Sequence, residues 1–174
     1  MNDASYSGKS LAQVFLAPDL PIRSITVWRQ RNDFINQVPM HLYVGTVRPD
    51  SPLEPEATSI LLDGPVLVLD GTSDVPRPVR FELDPPLALP GAGRYFFALK
   101  EDWCGGIAPL VADSRSAYGD GDAWLIHPFP GCGGALGHTV ENLNGIDLIF
   151  QVEFCDTAVP AGSVSWGRIK ATYR

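Results

Sequence analysis

The alternation of apolar and polar residues is clearest in the stretch 87–103, where an apolar run enters a turn at Pro90-Gly91. Beyond the turn, Tyr95, Phe97 and Leu99 share one face of an extended segment, and the residues between them are also largely apolar. A strand with two apolar faces is typical of the centre of a packed β-sandwich. We therefore predict that this segment is the central strand and that these three side chains lie in the core.

Alternation of the same kind recurs in short runs along most of the chain. It predicts strands at 11–17, 22–30, 40–47, 77–83, 107–111, 123–127 and 146–154, with shorter apolar runs at 60–62, 66–69 and 87–89. The proline-rich stretch 48–58 is predicted to be a loop, because proline has no backbone N–H to donate to a neighbouring strand. Pro85-Pro86 predicts a bulge or an edge break, and Asn144-Gly145 predicts a tight turn.

Many short strands, with no convincing helical pattern before position 160, indicate an all-β protein. We predict an antiparallel β-sandwich, with a jelly roll as the favoured topology, and we disfavour a lipocalin-like barrel because the proline-rich crossing segments are long and irregular. The 174 residues suit one domain. The predicted divisions are a flexible lead-in at 1–10, the sandwich at 11–156, and a linker with a docking or sorting tail at 157–174.

Charge and composition narrow the possible partners. The net charge is −7, with 13 basic residues against 20 acidic ones, which argues against a nucleic-acid groove. No run of about 18 apolar residues is present, so we expect no membrane span. The first ten residues are polar and do not resemble a secretory leader, so a secreted protein would carry its leader outside this sequence.

The three cysteines, Cys104, Cys132 and Cys155, allow at most one internal disulfide. We predict a bond between Cys104 and Cys132, since each precedes Gly-Gly in a predicted loop. Closing about 27 residues in this way would add roughly 3 kcal/mol of stability. A bond between Cys132 and Cys155 is the weaker alternative. A zinc site that adds His127 or His138 is weaker still, because the spacings match no familiar ligand pair.

Two further groups of residues are candidates for binding. Asp120 and Asp122 flank a glycine and offer the oxygen ligands that calcium prefers, although Asp-Gly-Asp is also an ordinary turn sequence. Trp103, Tyr118 and Trp124 lie in or beside a glycine-rich excursion, and we expect them to be exposed and able to stack on a sugar ring or a protein partner.

No catalytic arrangement emerges from the sequence. The chain lacks Gly-x-Ser-x-Gly, and His41, His127 and His138 have no neighbouring residues in the sequence that would orient them. We therefore expect a protein without enzymatic activity.

The C-terminal tail is basic, in contrast to the rest of the chain. Trp166, Ile169 and Tyr173 share a face at helical spacing, and the tail either docks on its own domain or serves as a docking or sorting segment. Its Ser-Trp-Gly-Arg-Ile-Lys-Ala-Thr-Tyr-Arg sequence resembles the tails of predicted exported bacterial proteins.

A second resemblance covers residues 11–154 and rests on hydrophobic and turn positions. Leu-Ala-Gln-x-Phe at 11–15, Leu-Pro-Gly-x-Gly-x-Tyr at the central turn and Gly-x-Asp-Leu-x-Phe-x-Val at 145–152 are similar to accessory jelly-roll domains of secreted bacterial proteins, which resemble carbohydrate-binding modules. The resemblance implies an extracellular or cell-surface module that binds a polysaccharide or a protein surface. The alternative is a structural subunit that self-associates through its terminal segments into a filament or layer.

Overall fold

The computed structural model describes residues 2–4, 10–29, 37–70, 75–101, 110–114, 118–127, 136–137 and 139–155. Within these ranges the regular elements are all β-strands. The described residues therefore include no helix of the length and apolar character needed to cross a bilayer.

Twelve strands are seen in the described residues. They are β1 (Asn2–Ala4), β2 (Ser10–Ala17), β3 (Ile22–Arg29), β4 (Gln37–Arg48), β5 (Ser51–Asp70), β6 (Arg77–Leu87), β7 (Gly93–Glu101), β8 (Leu110–Asp113), β9 (Ala123–His127), β10 (Thr139–Asn142), β11 (Asp147–Leu148) and β12 (Phe150–Phe154).

These strands form two antiparallel sheets. In the first sheet, β6 and β12 flank β3 on opposite sides, while β8 pairs with β1, with β11 and with the end of β3. The second sheet has the order β10-β9-β2-β7-β4-β5. The prediction of an all-β antiparallel sandwich is confirmed, and most connections carry the chain from one sheet to the other, as in jelly rolls.

The central strand lies where the sequence predicts it. β7 is paired on one side with β2 and on the other with β4. Tyr95, Phe97 and Leu99 are buried between the two sheets, where Phe97 packs against Phe15 of β2 and Phe150 of β12. Both faces of β7 are buried, because a second apolar cluster covers its opposite face at Phe96 and Ala98.

Residues of β5 contribute to this second cluster. The stretch 48–58 was predicted to be a loop, and that prediction is wrong beyond the turn at Pro49-Asp50, since β5 runs without a break from Ser51 to Asp70. Its prolines are tolerated because β5 is the last strand of its sheet and its pairing with β4 is interrupted by several register shifts. β5 also contacts β7, β2, β9 and β10, and its own Ala57 is buried in the outer-face cluster.

The bulge predicted at Pro85-Pro86 is confirmed, since β6 continues through these prolines with a cis bond between Asp84 and Pro85 and a register shift against β3. Two other elements differ from the predictions. Residues 2–4, placed in the flexible lead-in, pair with the edge of β8. The predicted strand at 146–154 is divided at Ile149 into β11 and β12, which pair with different strands. The turn at Asn144-Gly145 is confirmed, since both residues have positive φ.

Candidate functional site

The three aromatic residues predicted to bind a ligand have different environments. Trp103 lies outside the described residues. Trp124 is only 9% exposed and belongs to the outer-face cluster with Leu136 and Ile126, which corrects the expectation that it is exposed. Its indole Nε1 is buried without a hydrogen-bond partner among the described residues. In this position Trp124 offers no open ring face for stacking.

Tyr118 lies at the side of the sandwich, between the two sheets. Its ring meets Phe150 edge-on, with centroids 5.2 Å apart, and its hydroxyl oxygen accepts a hydrogen bond of 2.9 Å from the backbone N–H of Leu16. Partial burial raises the pKa of the Tyr118 hydroxyl above its ordinary value. Tyr118 therefore has a fixed position, with its ring beside the edge of the first sheet.

A groove of about 290 Å³ runs beside this ring. It is lined by the consecutive residues 147–152 together with Asp113 and Tyr118. Because consecutive residues rather than alternate ones line it, the groove follows the edge of β11 and β12 rather than either sheet face. The lining combines apolar residues, such as Phe150 and Val152, with the polar residue Gln151. Binding sites commonly combine an apolar lining with a few polar groups.

A buried polar network fixes the inner end of the groove. Asp147 is 2% exposed and accepts hydrogen bonds from Gln13 Nε2 at 3.2 Å and from the backbone N–H of Tyr118 at 3.0 Å. The Gln13 amide oxygen accepts the backbone N–H of Leu148 at 2.8 Å. The network joins β2 of one sheet to β11 of the other. The sequence predictions do not include this network, although a glutamine at an inward position of an otherwise apolar strand is a usable signal for it.

The edge of β12 differs from the other sheet edges in the described structure. β6 carries Pro78 and the Pro85-Pro86 pair, β5 carries three prolines and several register shifts, and β10 has only four residues. Such features discourage the addition of another strand. β12 contains no proline and, among the described strands, pairs only with β3. It therefore lacks the prolines that hinder strand addition at β5 and β6.

The backbone direction along β11 and β12 identifies the groups that face the groove. The N–H of Cys155, directly after β12, donates to the carbonyl oxygen of Pro21, the residue before β3, at 2.8 Å, and so points toward β3. Since N–H groups alternate sides along a strand, the N–H groups of Val152 and Phe154 point away from β3. The groove thus contains a backbone donor that an added strand can use.

Charged residues cover the outer face of the same region. The Arg80 guanidinium on β6 reaches across β3 and donates two hydrogen bonds to Glu153 on β12, at 2.8 and 2.7 Å, and it also pairs with Glu82. Ser24 of β3 donates to the same Glu153 carboxylate at 3.3 Å. These contacts lower the pKa of Glu153, with the Arg80 hydrogen bonds as the main cause. These contacts connect β12 to β6 and β3, whereas the opposite edge of β12 borders the groove.

The predicted calcium ligands have separate partners. Asp120 lies near the Arg94 guanidinium, at 3.8 Å, and its backbone carbonyl accepts a bond of 3.0 Å from Arg94 Nε. Asp122 accepts from the side-chain amide of Asn142 at 3.2 Å. Among the described residues, no group of three histidine, cysteine or acidic side chains could hold a metal ion. A structural calcium at Asp120 and Asp122 remains a prediction.

Two histidines gain orienting partners from the tertiary structure. His41 lies between Asp63, which is 2.6 Å from Nε2, and the Tyr43 hydroxyl, which is 3.0 Å from Nδ1. His127 Nε2 is 2.9 Å from a Glu141 carboxylate oxygen on the neighbouring strand. Tyr43 is buried, so the His41 arrangement does not present a nucleophile at the surface.

Several predicted site residues fall outside the described part of the chain. They are Cys104, Cys132, Trp166, Ile169 and Tyr173. Cys155 is described, and it is a free thiol at the end of β12. The weaker alternative, a bond between Cys132 and Cys155, is therefore wrong, and the bond between Cys104 and Cys132 remains a prediction.

Comparisons with known proteins add no assignment, since no family model, curated protein or solved structure matches the chain. The resemblance to accessory jelly-roll domains remains a prediction.

Proposed function

We propose that this chain is a non-catalytic binding module, located outside the cell or at its surface, that accepts an extended segment of another protein along the edge of β12. The groove along residues 147–152 is the observation that carries the proposal. It places an exposed backbone donor, apolar side chains and a polar side chain along one strand edge.

Strand addition explains why these features occur together. An added strand gains affinity from backbone hydrogen bonds and specificity from pockets for alternate side chains. The Val152 N–H supplies a backbone donor, while the half-buried side chains of Phe150 and Val152 offer apolar contacts on the inward side. The Arg80–Glu153 pair and the Gln13–Asp147 network keep this edge rigid, which reduces the entropy lost on binding.

A carbohydrate is the second candidate ligand, favoured by the position of Tyr118. Its ring lines the groove with Asp113 and Gln151, and an aromatic ring beside polar side chains suits a sugar with one apolar face and several hydroxyls. This ligand would depend on the Tyr118 ring rather than on the backbone of β12.

A structural subunit is the remaining alternative, and the position of β1 favours it. The N-terminal residues 2–4 belong to the first sheet, whereas β2, which follows in the chain, belongs to the second. A short edge strand that crosses between sheets is the kind of element that two copies can exchange. Such exchange would make the oligomeric state of the full chain depend on residues 1–9.

The test compares two substitutions at one position. A display library of random peptides is selected on the full chain, and the affinity of the selected peptides is measured with Val152→Pro and Val152→Ala. We expect Val152→Pro to weaken binding by at least about tenfold, because it removes a ladder donor, and Val152→Ala, which keeps that donor, to weaken binding much less. Failure to select a peptide, or equal binding by both variants, would contradict strand addition.

A glycan array and a hydrolysis screen on the same proteins test two other functions, carbohydrate binding and enzymatic activity. Glycan binding that survives Val152→Pro and disappears in Tyr118→Ala would assign the groove to a carbohydrate. Turnover of any glycan would show that the protein is an enzyme. Loss of a defined oligomer on deletion of residues 1–9 would favour the structural subunit.

A further inference from the structure

We infer that the segment bound along β12 is β12 of a second copy of this chain, so that two copies join their first sheets into one continuous antiparallel sheet about a two-fold axis at Val152. This inference rests on the proposed function and names the partner of the same edge. The described residues of β12 supply both the edge and the strand that is added to it.

Three backbone N–H groups along β12 are directed away from β3. The Cys155 N–H donates to the carbonyl oxygen of Pro21 on the β3 side, and N–H groups alternate sides along a strand. The groups on the opposite side are therefore those of Phe150, Val152 and Phe154. At Leu148, the N–H on that same side already donates to the Gln13 amide oxygen, at 2.8 Å. Val152 is thus the midpoint of the donors that this edge offers to another strand.

A strand centred on Val152 pairs with a copy of itself without leaving any of these donors unused. In an antiparallel pair about this residue, Val152 lies opposite the partner's Val152, and Phe150 lies opposite the partner's Phe154. All the outward-directed N–H groups of β12 then fall in hydrogen-bonded pairs, in which the two residues exchange both backbone bonds. Between these pairs, Gln151 lies opposite the partner's Glu153.

The neighbouring registers are less favourable. Centring the pair on Glu153 places two carboxylates directly opposite each other, and like charges in that position are destabilising. Centring it on Gln151 requires a hydrogen-bonded pair at Leu148, whose N–H is already bonded to Gln13. The sequence Phe-Gln-Val-Glu-Phe therefore selects the pairing about its middle residue.

Side chains of matching character meet in this register. The residues on the inward face are only partly buried against the core, and they are Phe150, Val152 and Phe154. Apolar residues of the second copy would cover part of their remaining surface. On the outward face, the Gln151 amide can donate to the partner's Glu153. Within its own chain this carboxylate is already compensated by Arg80, so the contact does not leave an isolated charge between the two copies.

Pairing between two copies also fits the lack of proline in β12. Uncovered edge strands risk uncontrolled addition of further strands, which proteins limit with proline, lysine or bulges. β5 and β6 carry prolines and register shifts, whereas β12 has neither proline nor lysine. A two-fold pairing uses the β12 edge of each copy once and is therefore closed.

The mass of the full chain in solution, measured over a range of concentrations, tests the inference. We expect a monomer–dimer equilibrium. Gln151→Glu should raise its dissociation constant at least about fivefold, because like charges then face each other at two positions, and Gln151→Lys should lower it by a similar factor. A natural protein that stays monomeric, or equal constants in the two variants, would overturn the inference.

The same changes in charge at a distant position provide the control. Val68 is 63% exposed and lies on β5, in the other sheet. Val68→Glu and Val68→Lys should leave the dissociation constant nearly unchanged. If they shift it as strongly as the substitutions at Gln151, the effect comes from net charge and the proposed contact is overturned.

A disulfide at a defined position tests the register. In the pairing about Val152, Ile149 lies opposite the partner's Cys155, whereas within one copy these two positions are about 20 Å apart along the strand. Ile149→Cys should therefore form, on mild oxidation, a covalent dimer whose 149–155 bond is identified by mass spectrometry. Val68→Cys is the exposed control and should form no bond to Cys155. Absence of the 149–155 bond would overturn the inference.

Three outcomes separate the possible failures. If the natural protein is monomeric but binds the peptides selected by display, and Val152→Pro abolishes that binding, only the inference about the second copy fails. If it is monomeric and no peptide binds, the proposed function fails as well. A dimer that persists in Val152→Pro and is lost on deletion of residues 1–9 would arise from exchange of β1 and would overturn the inference.

Discussion

Gln13 on β2 and Asp147 on β11 are 134 residues apart in the chain and join the two sheets through a buried hydrogen bond of 3.2 Å. Both side chains are almost completely inaccessible to solvent. The same glutamine accepts the N–H of Leu148, and the same aspartate accepts the N–H of Tyr118. One pair of residues therefore connects the two sheets beside the groove.

Replacing this glutamine should destabilise the protein strongly. Gln13→Leu introduces an apolar side chain of similar size, and it leaves the Leu148 N–H and one Asp147 carboxylate oxygen without partners. We expect a loss of about 2–4 kcal/mol in the free energy of unfolding, measured by urea denaturation. The matched control is Gln151→Ala, at an exposed glutamine, which should change stability by less than about 0.5 kcal/mol. Equal effects would mean that the network contributes little.

The glycine between Asp120 and Asp122 is required for packing. A Cβ atom at Gly121 would lie 2.1 Å from the carbonyl oxygen of Val14, whereas one at Gly119 would meet nothing within 4 Å. We expect Gly121→Ala to destabilise the protein by more than about 2 kcal/mol, because backbone must move to relieve the contact. Gly119→Ala, in the same turn, should be tolerated. Thermal unfolding of the two variants gives the comparison, and similar melting temperatures would contradict it.

The Arg80–Glu153 pair should make stability depend on pH in the acid range. The pKa of Glu153 is lowered in the folded protein from an ordinary value of 4.5, so its contribution is present above that value and is lost as the pH falls through the lower folded pKa. We expect Glu153→Gln to melt at a lower temperature than the natural protein at pH 7, and the difference to shrink below pH 4.5.

A control distinguishes this effect from general acid sensitivity. Asp19 is exposed and makes no ion pair with a described residue, so Asp19→Asn should keep the natural pH profile. If Glu153→Gln and Asp19→Asn lose stability in parallel on acidification, the ion pair is not the source of the pH dependence.

Thiol counting tests the predicted disulfide. Cys155 is a free thiol, and a bond between Cys104 and Cys132 would leave it as the single reactive cysteine of the unfolded, oxidised chain. We expect one alkylated cysteine before reduction and three after it. Reduction should also lower stability by roughly 3 kcal/mol. Three reactive thiols in protein purified without reductant would rule the bond out.

The sequence predicted much of the sandwich because its signals are local. Alternation identified β7 as the central strand and placed Tyr95, Phe97 and Leu99 in the core, and Asn144-Gly145 was correctly predicted as a turn. These features depend on which side chains point to each face and on backbone conformations that few residues adopt. Prolines misled the prediction in β5, because whether a proline is tolerated depends on the strand being at a sheet edge.

Only the tertiary structure decided which residues form the candidate site. Trp124 and Tyr118 look alike in the sequence, yet β5 and Leu136 help enclose the first in an outer-face cluster, while the second lies beside the open edge of β12. Gln13 and Asp147 meet only after the two sheets have packed. Alternation along a strand determines its faces, whereas burial, hydrogen-bond partners and open edges depend on contacts between residues that are far apart in the chain.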